Sequence, residues 1–515
     1  MRAASPDGHR ARLGDQLAAL LDAQQPLARI FLLTDMQATS LDALPSVGPS
    51  QARAFVIDAG EEIDGNSGIV TLQSSTPVHL RGRPSDLIAS TRTWGEGPGR
   101  VPLTVECDGD ELAAGIDLLP DESSSTTVEV APAMAGAFIC RAYLPGDAFP
   151  ADDRRSFAAL VRERLRAAII GDEARTRFIR AALDPYAAGD ARSTVELVGP
   201  EALRAAQAPD VAIVAAEGVD EETSDILRDL MRSGTGVLLY AGADEATLEA
   251  LGFAGVTMGD RRRPEEPLAL AELDTGCAAL AGFAEPGAGD LSAPRFAVVP
   301  EVRISSDATA TVVARYSDGS PALLESAVGR GRALLFATSP DEAWSDLVRM
   351  PEFVPLMHRL SLHVAAGTTP AVLAGSPGDL SVGDLPGGSD EIHVVIADGE
   401  EMPLEVANGA WCFRAPETGV YRVQSAGEDF ATFAVNLDRA ESDPRRLSAE
   451  QVRERLRPLD AEVVRADALP SLLESLGPGS ADVSSCVALL TLIVLAIESV
   501  QSLGAARGSP DGGHE

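Results

Sequence analysis

The sequence predicts a multidomain α/β plus β-sandwich protein closing on a transmembrane helix, and three observations predict it. The chain has 515 residues, which at about 100 to 200 residues per domain implies three or four domains. Its apolar pattern switches twice between strand-helix alternation and strict period two. Near the C-terminus lies one unbroken apolar stretch.

The elements follow in order. Leu13, Leu17, Leu20 and Leu21 recur at helical spacing, and after Pro26 the run Ile30 to Asp35 reads as a buried strand ending in a polar loop. With Phe55-Val56-Ile57-Asp58, it predicts a partial α/β fragment over 1–60 with two parallel strands. Two strands are marginal alone, so the fragment is expected to pack on a later domain, pair with another chain, or complete a domain encoded upstream.

Residues 61–155 switch to period two. Val101, Leu103, Val105 and Cys107 share one face, and Phe138, Cys140, Ala142 and Leu144 share another. A β-sandwich is expected, with Cys107 and Cys140 meeting across its core as a disulfide or as two small buried thiols.

Residues 156–368 alternate strand and helix, with strands at Arg166 to Gly171, Thr194 to Val198, Val211 to Ala215 and Gly236 to Tyr240, and helical segments such as Glu222 to Arg232 between them. This spacing implies parallel crossovers in a sheet covered on both faces, completed by later runs ending at Ala333 to Ala337. A second sandwich is expected over 369–440. Ser448-Ala-Glu-Gln451 has the capping-box form, opening a helical linker over 446–480.

From Val483 to Leu503 only Glu498 is ionisable. At about 1.5 Å per residue the segment is roughly 31 Å long, the thickness of a hydrocarbon core. It is expected as a transmembrane helix over 483–503; the alternative is a helix docked on a soluble core. Asp482 before it and Arg507 after it place the bulk outside. The expected location is the inner membrane, single-pass, with the bulk extracytoplasmic.

Composition excludes several chemistries. Asp plus Glu is 78 against 42 for Lys plus Arg, a net charge of −36, and every one of those cations is arginine. Without lysine there is no phosphate-loop lysine, Schiff base, kinase lysine or Ser-Lys pair. The charge repels nucleic acid. The five cysteines form no CxxC pair, and neither HExxH nor GxSxG occurs.

Several stretches together resemble the bacterial aerotolerance (Bat-type) membrane proteins. They are Arg29 to Gln37, Asp152-Asp-Arg-Arg155, Gly329 to Thr338, Asp341 to Asp346, Pro351 to Pro355, Gly419-Val-Tyr421, Phe433 to Asn436 and Glu441-Ser-Asp443. The resemblance implies a von Willebrand A-like fragment at 1–60 and a class I glutamine amidotransferase-like domain at 156–368. It further implies a role in stress or aerotolerance, with other von Willebrand A proteins and a MoxR-type ATPase system as partners. Of the family's metal-site motifs only Asp35 is matched, and its two N-terminal membrane helices are missing. An N-terminally truncated member or a misassigned start is therefore expected.

The expected function is a membrane-anchored, non-enzymatic scaffold or interaction protein, with no catalytic, cofactor-binding or metal-binding residues and no cofactor. The turn Ala215 to Asp220 holds no cysteine, Cys277 lies in an Ala-rich helical stretch, and no histidine occurs between His79 and His358. The alternative is a hydrolase or amide-transfer enzyme using the 156–368 domain. It would show a Cys or Ser within about 4 Å of a His at the carboxyl ends of the parallel strands. Glu217 reads as a solvated loop carboxylate, and His358 and His363 as pointing to different helix faces. Trp344 and Trp411 read as core fillers, and Arg154-Arg155 and Arg445-Arg446 as rim ion pairs.

Overall fold

The computed structural model describes Leu17 and residues 29–41, 53–76, 78–186, 193–205, 208–281, 283, 289–367, 375–378, 380–384, 392–396, 399–407, 410–425 and 427–475. Strand β1 (Arg29–Thr34) pairs in parallel with β2 (Arg53–Asp58). Ile30 and Leu32 alternate inward and join Ala54 and Val56 in one small core.

The first period-two region forms β3 (Asn66–Ser74), β4 (His79–Leu80), β5 (Ser85–Trp94), β6 (Gly99–Cys107), β7 (Asp110–Leu118), β8 (Ser123–Val130), β9 (Gly136–Tyr143) and β10 (Arg154–Arg162). Two sheets result, ordered β3-β5-β8 and β4-β10-β9-β6-β7. Leu87 and Val128 from one meet Leu103, Val105, Phe138 and Ala142 from the other, as period two requires. Cys107 and Cys140 form a disulfide. They are register partners on β6 and β9, so the bond lies within one sheet rather than across the core.

The next region contains β11 (Leu165–Ile170), α1 (Glu173–Leu183), β12 (Val195–Val198), β13 (Val211–Val214), α2 (Glu221–Ser233), β14 (Gly236–Tyr240), α3 (Glu245–Ala250), β15 (Val256–Arg262), β16 (Leu270–Leu273), α4 (Ala278–Ala281), β17 (Val299–Ile304), β18 (Thr311–Tyr316), β19 (Pro321–Val328), β20 (Gly331–Phe336) and α5 (Phe353–Ala365). The main sheet runs β12-β11-β13-β14-β20-β19-β18-β16. It is parallel as far as β20 and antiparallel beyond. Every residue of β13 and β14 is buried, as central parallel strands covered on both faces demand. Asp220 caps α2 by accepting from the Thr223 N–H, and the helix stops at left-handed Gly234. A Cβ on Gly236 would stand 2.3 Å from the Val364 carbonyl carbon, so glycine permits α5 to lie directly on β14.

The second sandwich comprises β21 (Leu380–Asp384), β22 (Ile392–Ile396), β23 (Glu401–Met402), β24 (Glu405–Ala407), β25 (Ala410–Arg414), β26 (Gly419–Ser425) and β27 (Glu428–Val435). Its sheets are β21-β25-β24 and β23-β22-β26-β27. Trp411, Phe413, Tyr421 and Phe433 fill the core, with the Trp411 and Phe433 rings stacked at 6.3 Å. Asn436 then behaves as an extra backbone unit. Its Oδ1 accepts from the Ser156 N–H at 2.7 Å and its Nδ2 donates to the Ser156 carbonyl at 2.9 Å, fastening this sandwich to β10 of the first.

Finally come α6 (Ala449–Arg455), β28 (Glu462–Arg465) and α7 (Leu469–Ser475). The capping box forms, with Ser448 Oγ accepting from the Gln451 N–H and Gln451 Oε1 accepting from the Ser448 N–H. Strand β28 pairs in parallel with β2, Phe55 opposite Glu462 through Asp58 opposite Arg465, giving a sheet β1-β2-β28. Helix α6 covers one face of it and α7 the other.

These observations correct several expectations. The protein is mostly β, and neither a von Willebrand A fold nor an amidotransferase fold is present among the described residues. Two parallel strands in sequence do not show how many others join them. Here the third comes from residues 462–465, inside the stretch expected as a helical linker. The 156–368 sheet, expected as parallel, adds three antiparallel strands to its parallel part, because the turns at Asp318-Gly319 and Gly329-Arg330, which the sequence also marks as turns, send the chain straight back. Among the described residues no helix is long and apolar enough to cross a membrane. The 483–503 segment lies outside the described residues, so the single-pass inner-membrane placement is withdrawn.

Candidate functional site

Strand alternation places Leu323 and Glu325 on the same face of β19, and Arg332 and Leu334 on the same face of β20. That face is covered by α5, whose last turn carries His363. Cys277, just before α4, reaches the same point. His363 Nε2 lies 2.8 Å from Glu325 Oε2 and 3.7 Å from Cys277 Sγ. Arg332 Nη1 approaches the same nitrogen at 2.7 Å, and its Nε lies 3.4 Å from Glu325 Oε1. Cys277 and His363 are buried and Glu325 partly so.

The electrostatics favour an imidazolium-carboxylate pair. Burial disfavours the charged imidazole, but the hydrogen bonds to Cys277 and Glu325 outweigh it and raise the His363 pKa. Burial likewise opposes ionisation of Glu325, and His363 with Arg332 overcomes it and lowers that pKa. The Cys, His and Glu donor atoms lie within 4.8 Å of one another, a spacing that suits a metal ion. The Arg332 guanidinium against Nε2 opposes one.

His363 also borders a cleft of about 640 Å³ between the first sandwich and the mixed-sheet module. His79, Arg83 and Ser85 line one wall, and Ala278, Arg359 and Leu362 the other. Arg83 crosses the junction, donating to Thr194 Oγ1 at 3.3 Å and to His358 Nδ1 at 3.2 Å. Burial first, and then Arg83, push the His358 pKa down to about 4, which leaves the ring neutral and able to accept. Burial also lowers His79, whose ring packs edge-on to Phe157 at 5.6 Å.

The Cys-His approach satisfies the distance set for an acyl-transfer pair, at the other end of the sheet. Val364, next to His363, packs on Gly236 at the start of β14, so the cluster sits at the amino ends of the parallel strands. Open α/β sheets present ligands at the carboxyl ends. There Glu217 is ion-paired with both Arg175 and Arg261, and the Arg261 guanidinium lies 5.2 Å from the Trp344 ring centre. The nitrogen that faces the thiol is also the one committed to Glu325, whereas a thiol-imidazole base orients its ring through the opposite nitrogen.

The other singled-out residues are structural. Asp35 Oδ1 accepts from the Gln37 N–H at 3.0 Å, and its carbonyl accepts from Arg446 Nε at 2.8 Å. Arg446 pairs with Asp58, both side chains largely enclosed, while Arg445 pairs with Asp443. Arg155 bonds the Ile69 and Leu437 carbonyls at 3.2 and 3.3 Å and so anchors backbone where a rim ion pair was expected. The Cys277 cluster was missed because its members stand 86 residues apart in sequence. The one local signal was Glu325, a charge inside the apolar run Ala322 to Ser326.

No family model matches the chain, and no curated protein matches it. Solved structures give partial likenesses. A cytoplasmic protein of Salmonella typhimurium is 14% identical with a TM-score of 0.28, covering 44% of this chain and 96% of that one. An exo-β-1,4-mannosidase from Opitutaceae bacterium strain TAV5 is 14% identical with a TM-score of 0.27, covering 40% and 37%. The CARDB domain of a Pyrococcus furiosus protein, in complex with di-metal ions, is 14% identical with a TM-score of 0.17, covering 20% and 92%. Likenesses of this size carry no functional argument.

Proposed function

We propose that the chain is a non-enzymatic interaction scaffold whose two sandwiches and mixed sheet are held in a fixed arrangement for a protein partner. The observation that carries this reading is the set of polar junctions between modules. Asn436 bonds both backbone groups of Ser156, Arg155 reaches Leu437, and Arg83 joins the first sandwich to α5 through His358. Such junctions hold the modules in a set orientation, which supports a scaffold role. The partners to try first are those the Bat-type resemblance implies, a von Willebrand A protein and a MoxR-type ATPase.

The test is cross-linking of the tagged full chain in its host, followed by mass spectrometry, beside Asn436→Ala. A stoichiometric protein partner whose recovery falls in the variant is expected. A second reading, a hydrolase or amide-transfer enzyme, is favoured by the 3.7 Å approach of Cys277 Sγ to His363 Nε2. Turnover of an amide or ester substrate by the wild type that Cys277→Ser abolishes would overturn the scaffold reading.

A further inference from the structure

The cleft of about 640 Å³ between the first sandwich and the mixed-sheet module is lined by four charges that have no opposite partner. Arg83, just before β5, and Arg359 on α5 stand on its two walls. Arg83 donates to neutral acceptors, Thr194 Oγ1 and His358 Nδ1. The Arg359 guanidinium has the Phe283 ring centre at 5.7 Å. Among the described residues neither arginine is ion-paired. Burial first, and then Arg359, disfavour the charge on Arg83, so the two guanidiniums feel each other across the cleft. In a chain with 78 acidic residues to 42 cations, two arginines facing one cleft without a carboxylate need a reason.

The opposite imbalance lies on the sandwich wall. Asp86 on β5 and Glu129 on β8 are register partners, both exposed and both lining the cleft. Residues directly opposite on an antiparallel pair have their Cβ atoms about 4.5 to 5.5 Å apart, where like charges destabilise the sheet. Among the described residues neither carboxylate is ion-paired. Period two puts Ile88 on the same face as Asp86, and Leu362 follows Arg359 by three residues on α5. Both line the cleft and give it apolar surface beside the two charged pairs.

A simple anion here would satisfy the arginines and be repelled by the carboxylates, and a simple cation would do the reverse. A ligand carrying one charge of each sign satisfies both pairs. The volume lies within the roughly 300 to 1,000 Å³ of ligand pockets, which combine apolar lining with a few placed polar groups.

We infer that this cleft binds a small zwitterion of the amino-acid or short-peptide kind, its carboxylate held by Arg83 and Arg359 and its ammonium by Asp86 and Glu129. Arginine suits the carboxylate end, because its planar fork matches the two oxygens. Arg359 belongs to the mixed-sheet module and the other three residues to the first sandwich. The ligand therefore touches both modules and reinforces the junction that Arg83 makes with His358.

The test is calorimetric titration of the full chain with L-alanine, trialanine, N-acetyl-trialanine, trialanine amide and sodium phosphate. Saturable binding of alanine or trialanine with a Kd below about 1 mM is expected. Tighter alanine assigns the free amino acid and tighter trialanine the peptide, and either supports the site. Each cap on trialanine should weaken binding at least about tenfold, the loss of a hydrogen-bonded charge. Arg359→Gln should abolish the effect of the amide cap and keep that of the acetyl cap, and Glu129→Gln should do the converse. Both residues are exposed, and neither change is expected to lower the melting temperature; the caps on the wild type carry the test if a variant misfolds. No saturable response to either zwitterion up to about 10 mM, caps without effect, or wild-type affinity in both variants overturns the site. Phosphate binding as tightly as trialanine would mean a simple anion site and overturns the ligand class.

Discussion

Loss of the Cys107–Cys140 bond is the perturbation whose size follows most directly from the structure. The two residues are 33 apart in sequence, so the bond closes a loop of known length in the unfolded chain. Loop-closure entropy for that length corresponds to about 3.7 kcal/mol at 25 °C, within the usual range for single disulfides. The folded state changes little on reduction. Cys107 and Cys140 are 6% and 0% exposed, are register partners already, and sit as neutral thiols in an apolar core that tolerates them. The effect should therefore appear in the unfolding free energy of the first sandwich.

The three tryptophans make that measurable, since Trp94 lies in the first sandwich, Trp344 in the mixed-sheet module and Trp411 in the second sandwich. In a Trp344→Phe, Trp411→Phe background, urea unfolding followed by Trp94 emission should lose about 2 to 4 kcal/mol on reduction. Cys107→Ala with Cys140→Ala should lose at least as much. A reduced protein whose Trp94 transition moves by less than about 0.5 kcal/mol would refute the reasoning.

Three further outcomes are expected. Gly236→Ala places a methyl group 2.3 Å from the Val364 carbonyl carbon, and overpacking of backbone against backbone should cost at least about 3 kcal/mol, read as a fall in melting temperature. Arg446→Ala leaves the largely enclosed Asp58 carboxylate without its cation and should cost about 3 kcal/mol, read as faster proteolytic release of the β1-β2 segment. The third concerns pH. The folded pKa of His363 is raised above 6.5, burial opposing and the hydrogen bonds to Cys277 and Glu325 prevailing. Its contribution is therefore complete below pH 6.5 and is lost as pH rises through the raised value. Glu325→Gln should flatten the fall in melting temperature with pH above 6.5, and an unchanged slope would count against the ion pair.

The candidate site shows where sequence reasoning stopped. Glu325, Arg332 and His363 lie on three separate elements and Cys277 in the turn before a fourth, and the seating of α5 against β14 through Gly236 brings the histidine to the thiol. The excess of carboxylates was plain in composition, yet nothing in the spacing of Asp86 and Glu129 tells that β5 and β8 set them opposite each other.

Period and turn chemistry are local, and so the sequence by itself determined the two strands of the first sandwich that carry Cys107 and Cys140, most strands of the second, the buried runs Val211–Val214 and Gly236–Tyr240, and the Ser448 capping box. Tertiary structure alone decided which strands become neighbours. Residues 462–465 complete the sheet begun at residue 29, Cys140 pairs with Cys107 within one sheet, and the parallel sheet ends in antiparallel strands. A strand's own residues specify which side it buries, because its side chains alternate at fixed period. Its partner is chosen by where the rest of the chain can bring a matching edge.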